Sequence, residues 1–124
     1  MEKILIKTYR DLIVWQKSIE LVIAIYDLTS HFPKTEIYGL TAQMRRASVS
    51  IPSNIAEGRR RGSKRDFRHF LLTAFGSGAE LETQIDIVKR LPFGQSLDYT
   101  KIDTLLNEVM RMLNRFIFAL QPTT

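Results

Sequence analysis

Residues 63–90 read Ser63-Lys64-Arg65-Asp66-Phe67-Arg68-His69-Phe70-Leu71-Leu72-Thr73-Ala74-Phe75-Gly76-Ser77-Gly78-Ala79-Glu80-Leu81-Glu82-Thr83-Gln84-Ile85-Asp86-Ile87-Val88-Lys89-Arg90. Within this stretch Phe67, Leu71, Ala74, Gly78, Leu81, Ile85 and Val88 recur at alternating spacings of four and three, the period of one apolar helix face. Ser63 reads as an N-cap with Asp66 at the third helical position, close to a capping box. Leu91-Pro92-Phe93-Gly94 ends the run. Gly76 and Gly78 each cost about 1 kcal/mol relative to alanine in mid-helix, so small residues there point to a close helix crossing rather than a hinge. The result is a long helix over residues 63–90 with one face to bury.

Working outward, three more helices supply that cover. Residues 37–60 place Leu40, Met44, Ala47, Ile51 and Ile55 on one face. Pro52 inside the run removes an amide donor and frees the carbonyl of Ser48, which predicts a kink. Ser48, Ser50 and Ser53 are placed to satisfy the loosened backbone, and this local role makes a catalytic serine unnecessary. Before Phe32-Pro33, which breaks the chain, Asp11 is a candidate cap for a helix over 11–31. That helix has two apolar seams, Leu12, Trp15, Ile19, Val22, Tyr26 and Val14, Leu21, Ile25, Leu28. A helix apolar on more than one side is either a central core helix or one side of an oligomer interface. At the other end Asp98 can cap a helix over 98–120 with Ile102, Leu105, Val109, Met112 and Phe116 as its seam, and Pro122 stops it. No segment alternates like a half-buried strand. Long helices joined by short connections predict an all-α fold, an antiparallel up-down-up-down four-helix bundle formed as one domain over residues 1–124.

Composition narrows the function. No apolar run reaches the roughly 18 residues that span a bilayer, and the N-terminus lacks a signal-peptide pattern. With no cysteine there is no disulfide, thiolate metal site or cysteine nucleophile. A cytoplasmic protein away from the membrane is expected. Charge is unevenly spread: residues 45–68 hold eight cations and two anions, while the rest of the chain holds ten cations and eleven anions. The whole positive excess therefore sits in one stretch, and a polyanion is the natural partner.

The run Arg59-Arg60-Arg61-Gly62-Ser63-Lys64-Arg65 concentrates it. Arginines ending the second helix complement its dipole, and Glu57 with Arg61 is a favourable i,i+4 pair. That account fails for Lys64 and Arg65, which fall in the first turn of the third helix, where the dipole disfavours cations. With Arg68 one turn on, free amides and guanidinium groups converge on an anion site. Its mode would be phosphate contact, which positions without reading sequence. Arg45 and Arg46 lie further back. Arg46 leans to a bridge with Glu80 or Glu82, and Arg45 is left open between extending the basic surface and a structural role. Asn54 and Glu57 suit backbone and arginine pairing. Phe67 and Phe70 suit the core better than a stacking platform, so single-strand base recognition is not favoured.

Catalytic patterns are missing. No helix carries Glu-x-x-His, and no HExxH, phosphate-cradling glycine loop or nucleophile elbow occurs. His31 and His69 fall at a helix end and beside the basic turn, and a surface histidine is the plainer reading of His69. No catalytic residue, metal ligand or cofactor is assigned, and an enzyme is not expected.

Three motifs carry a family resemblance: Phe32-Pro33-Lys34-Thr35-Glu36-Ile37-Tyr38-Gly39-Leu40, then Gln43-Met44-Arg45-Arg46-Ala47, then Ser50-Ile51-Pro52-Ser53-Asn54-Ile55-Ala56-Glu57-Gly58. This pattern resembles the bacterial four-helix-bundle family named for proteins encoded in intervening sequences of 23S rRNA genes. It continues through Gly76-Ser77 and Ala79-Glu80-Leu81-Glu82, over roughly residues 9–120. Gly78 and the Pro92-Phe93 turn depart from it. The resemblance implies an antiparallel bundle assembled into a ring-like homopentamer, with a basic surface for nucleic acid and no enzymatic activity. Accessory proteins of diversity-generating retroelements look like relatives and act with a reverse transcriptase, so such an enzyme is a candidate partner. Together these readings predict a homo-oligomeric bundle that binds RNA or DNA through Arg45, Arg59, Arg60, Arg61, Lys64, Arg65 and Arg68. The alternative is an interaction module whose basic rim docks an acidic protein.

Overall fold

The computed structural model describes residues 8–122, and among these residues there are four α-helices and no strand. They are α1 (Ile13–Thr29), α2 (Leu40–Arg60), α3 (Lys64–Arg90) and α4 (Thr100–Ala119), with single 3-10 turns at Tyr9–Asp11, Lys34–Glu36 and Pro92–Gly94. Ser63 caps α3 as its sequence predicts, its hydroxyl accepting from the Asp66 N–H at 3.1 Å. Asp11 does not cap α1. It closes the first 3-10 turn, accepting from the Thr8 N–H at 3.2 Å while the Thr8 hydroxyl accepts from the Arg10 N–H. α1 starts behind it at Ile13. Asp98 stands one residue outside the cap position of α4 yet still accepts from the N–H of Thr100 at 3.0 Å.

The helices form a square in chain order. α1 and α3 each pack on α2 and α4, and no Cα atoms approach within 8 Å across either diagonal. Named pairs fix the directions. Arg45 near the start of α2 meets Thr29 at the end of α1, whereas Arg60 at the end of α2 meets Tyr9 before α1. Gly58 lies against Phe70, while Ser50 meets Ser77 further along α3. Arg68 reaches Ile117, and Lys89 at the other end of α3 pairs with Asp103 at 2.8 Å. Consecutive helices are therefore antiparallel.

The apolar seams turn inward. Leu71, Ala74, Gly78, Leu81, Ile85 and Val88 of α3 are buried, as are Met44, Ala47, Ile51 and Ile55 of α2. In α1 one seam, Val14, Leu21, Ile25 and Leu28, is core. The other is mixed: Leu12 is buried, Trp15, Ile19 and Val22 are half-buried and Tyr26 is exposed. α2 continues helically through buried Pro52. The hydroxyls of Ser48 and Ser50 bond elsewhere than to the carbonyl of Ser48. Ser48 donates to the Arg45 carbonyl, and Ser50 meets Ser77 at 2.8 Å while accepting from Asn54 at 2.9 Å. Gly78 does mark a close crossing, since a Cβ there would meet the Met110 side chain, but Gly76 faces open space.

Candidate nucleic-acid interface

Gly62, at φ +85°, takes the left-handed conformation that lets α2 turn into α3 within three residues. This tight link gathers most of the sequence-predicted cations at one end of the bundle, where α2 ends, α3 begins and α4 ends. Arg59 and Arg60 occupy the last turn of α2, complementing its dipole. Arg60 lies over the ring of Tyr9 at 5.6 Å, and Arg10, which lies outside the charge run, covers the same ring at 4.7 Å. Tyr9 in turn packs edge-on against Trp15 at 5.3 Å. Arg61 pairs with Glu57 at 3.0 Å, the i,i+4 pair expected, and covers Phe70 at 5.0 Å. Arg68 donates through Nε to the carbonyl of Ile117 at 3.1 Å, so it closes the C-terminal turn of α4.

Lys64 and Arg65 behave differently. Both are exposed and make no hydrogen bond or ion pair with a described residue. From the first turn of α3 they line, with Arg68 and His69, an open cavity of about 520 Å³ whose other wall is the end of α4 at Leu120 and Pro122. The ring of His69 stands edge-on to Phe70 at 5.4 Å. Phe67 packs edge-to-face on Phe116 at 5.2 Å, in keeping with a core role, but Phe70 is a platform beneath Arg61 and His69 rather than a core residue.

Arg45 is separated from this group. About 15 residues of helix, or roughly 22 Å at 1.5 Å per residue, lie between it and Arg60. Its Nε donates to the Thr29 hydroxyl at 2.8 Å, and its guanidinium lies over Tyr26 at 4.4 Å. The structure makes it a clasp between α1 and α2. Arg46 is exposed and forms no ion pair with Glu80 or Glu82. Sequence reasoning missed Tyr9 and Arg10, which no spacing links to α2, and the closing wall supplied by the far end of α4. No cluster of His, Asp and Glu able to hold a metal occurs among the described residues, and no helix there is long and apolar enough to cross a membrane.

Four antiparallel helices with one cationic end define the chain as a small all-α bundle protein. The profile of the 23S rRNA-intervening sequence protein family matches residues 10–115, and the chain belongs to that family. Among solved structures it is similar to a protein of unknown function from the S23 ribosomal protein family of Bacteroides thetaiotaomicron. The TM-score is 0.70 at 21% identity, over 89% of this chain and 100% of that one. No curated protein matches the sequence.

Proposed function

We propose that this chain is a non-enzymatic, self-associating bundle that binds nucleic acid at the end formed by the α2–α3 turn. One observation carries the reading: Lys64 and Arg65 have no hydrogen bond or ion pair with a described residue at the N-terminal turn of α3, where the helix dipole already makes the potential positive. Cations placed there raise the free energy of the isolated chain. They are relieved by an anion that meets the ammonium and guanidinium groups together. The neighbouring arginines have structural partners of their own, yet their charge still adds to the field at this end. The family's link to intervening sequences of ribosomal RNA makes RNA the first polyanion to test. Self-association is supported by α1, which leaves Ile23 65% exposed one turn from half-buried Ile19.

The test is fluorescence anisotropy with an RNA hairpin across a salt series, comparing wild type with Lys64→Ala/Arg65→Ala. These two residues are the right choice because removing them breaks no hydrogen bond or ion pair between described residues. Binding should weaken steeply with salt. In the variant, the slope of log K against log salt should fall by about 0.9 for each phosphate that is no longer neutralised. Wild-type protein that fails to bind RNA or DNA at low salt refutes the proposal and turns the search to acidic protein partners.

A further inference from the structure

The cavity beneath Lys64 and Arg65 has a feature that phosphate contact does not require: an apolar floor. Leu72, two turns into α3 on the same face as Arg65 and His69, is 44% exposed. Across from it the end of α4 contributes Leu120 and Pro122. Together Leu72, Leu120 and Pro122 give the cavity apolar surface among its cations, which phosphate contact alone does not use. An acidic peptide would satisfy the charges but gives no reason for the placement of the histidine ring. His69 is turned edge-on to Phe70 at 5.4 Å, leaving an oriented imidazole on the cavity wall. The cavity, about 520 Å³, lies in the range of small-molecule sites and can hold a group of nucleotide size.

Resting on the nucleic-acid reading above, we propose that this cavity takes a single unpaired nucleotide, its base against Leu72, Leu120 and the His69 ring and its phosphate on Lys64 and Arg65. Unpaired bases in RNA loops are recognised in this way, splayed from the stack onto aromatic, guanidinium or apolar surfaces with the backbone held by cations. The amide of Gln121, also on the rim, can both donate to and accept from a base edge. Against the sequence expectation, which disfavours single-strand base recognition, the protein would then prefer looped or single-stranded nucleic acid over duplex, with apolar side chains and His69 in place of a tryptophan or tyrosine platform. The preference comes from the cavity, and the basic surface around it binds both forms.

The experiment uses two RNAs of equal length and charge, a hairpin with a 2-aminopurine in its loop and a fully paired duplex, read by anisotropy and by 2-aminopurine fluorescence. Wild type should bind the hairpin at least about tenfold more tightly than the duplex, the scale of one base stack, with a change in fluorescence as the base enters the cavity. Ala119→Trp, which fills the cavity from an exposed position without altering charge, should abolish that difference while leaving duplex binding unchanged. Leu72→Gln, which replaces the apolar floor with a polar group and leaves the charge unchanged, should do the same. Because both residues are exposed, circular dichroism should show intact helices in each variant. Equal affinity for the two RNAs, or a hairpin preference that survives both substitutions, overturns the cavity proposal and leaves the basic surface standing. Failure of wild type to bind either RNA overturns both.

Discussion

Arg45 in α2 does the opposite work from Lys64 and Arg65 in α3, and single substitutions separate them. Arg45 is half-buried, with a hydrogen bond to Thr29 and a stacked contact on Tyr26. Arg45→Ala should cost about 1–2 kcal/mol in urea unfolding, since it removes a side-chain hydrogen bond and a cation–π contact together. RNA affinity should stay the same. Lys64→Ala and Arg65→Ala should show the reverse pattern. The glycines divide in the same manner. A Cβ on Gly58 would stand 2.7 Å from the Cβ of Phe70, an atom fixed by its own backbone, so Gly58→Ala should destabilise the fold by about 1–3 kcal/mol. Gly76 meets nothing, and Gly76→Ala should stabilise by about 1 kcal/mol through helix propensity alone. Gly78→Ala should fall between them, because the side chain it meets, Met110, has a flexible end that can move. Equal unfolding midpoints for the three would show that these crossings are looser than the structure has them.

At the scale of elements, the helices were legible because the apolar period is long and clean: every predicted seam position of α3 from Leu71 to Val88 is buried. Their ends were harder to read, because capping depends on backbone geometry that one residue of slippage changes. Asp11 and Asp98 are both typical caps in sequence, yet one closes a 3-10 turn and the other reaches α4 from one position outside. The candidate site was legible as charge but not as shape. Lys64 and Arg65 were marked by their place on the helix dipole, whereas the cavity wall comes from Leu120 and Pro122, far along the chain. The α3–α4 connection offers a pH test at this scale. The hydrogen bonds from Thr100 hold the Asp98 carboxyl below its usual pKa. Its contribution is thus present at neutral pH and lost as pH falls through that lowered value. Asp98→Ala should therefore lower the melting temperature at pH 7, and the gap to wild type should close on acidification. Burial, with Asp103 adding to it, pushes the Tyr99 hydroxyl up, and that hydroxyl donates to the Gly94 carbonyl at 2.7 Å. Stability from this group is present below about pH 10 and is lost as pH rises through the raised pKa. Tyr99→Phe should cost about 1 kcal/mol at neutral pH, and the wild type should lose that advantage in strong alkali.

At the scale of the whole molecule, the proposed binding would have to come from one modest basic end. Two cations with no partner among the described residues and a few engaged arginines would make a weak site on a single chain, because phosphate contacts are screened by salt. Repetition of that end in a closed assembly changes the arithmetic, since each further contact to the same RNA is intramolecular. The face that could join copies is set by the α1–α2 clasp. Arg45 stacked on Tyr26 fixes the register, which brings exposed Val49, one turn along α2, beside half-buried Val22 and Ile19 of α1. Val22→Glu/Val49→Glu places two like charges on that strip without touching the fully buried core or the basic end. Light scattering should show the variant at the 14.4 kDa of one chain, whereas wild type runs at a multiple of it, five-fold for the ring the family resemblance implies. Helical circular dichroism should be unchanged. RNA affinity should drop by a factor of about 100, the lower range of multivalent gain, with a shallower salt slope. An unchanged mass would remove the α1–α2 strip as the interface. A monomer that keeps full affinity would show that each basic end acts alone, and the cavity under Lys64 and Arg65 would then have to account for the binding.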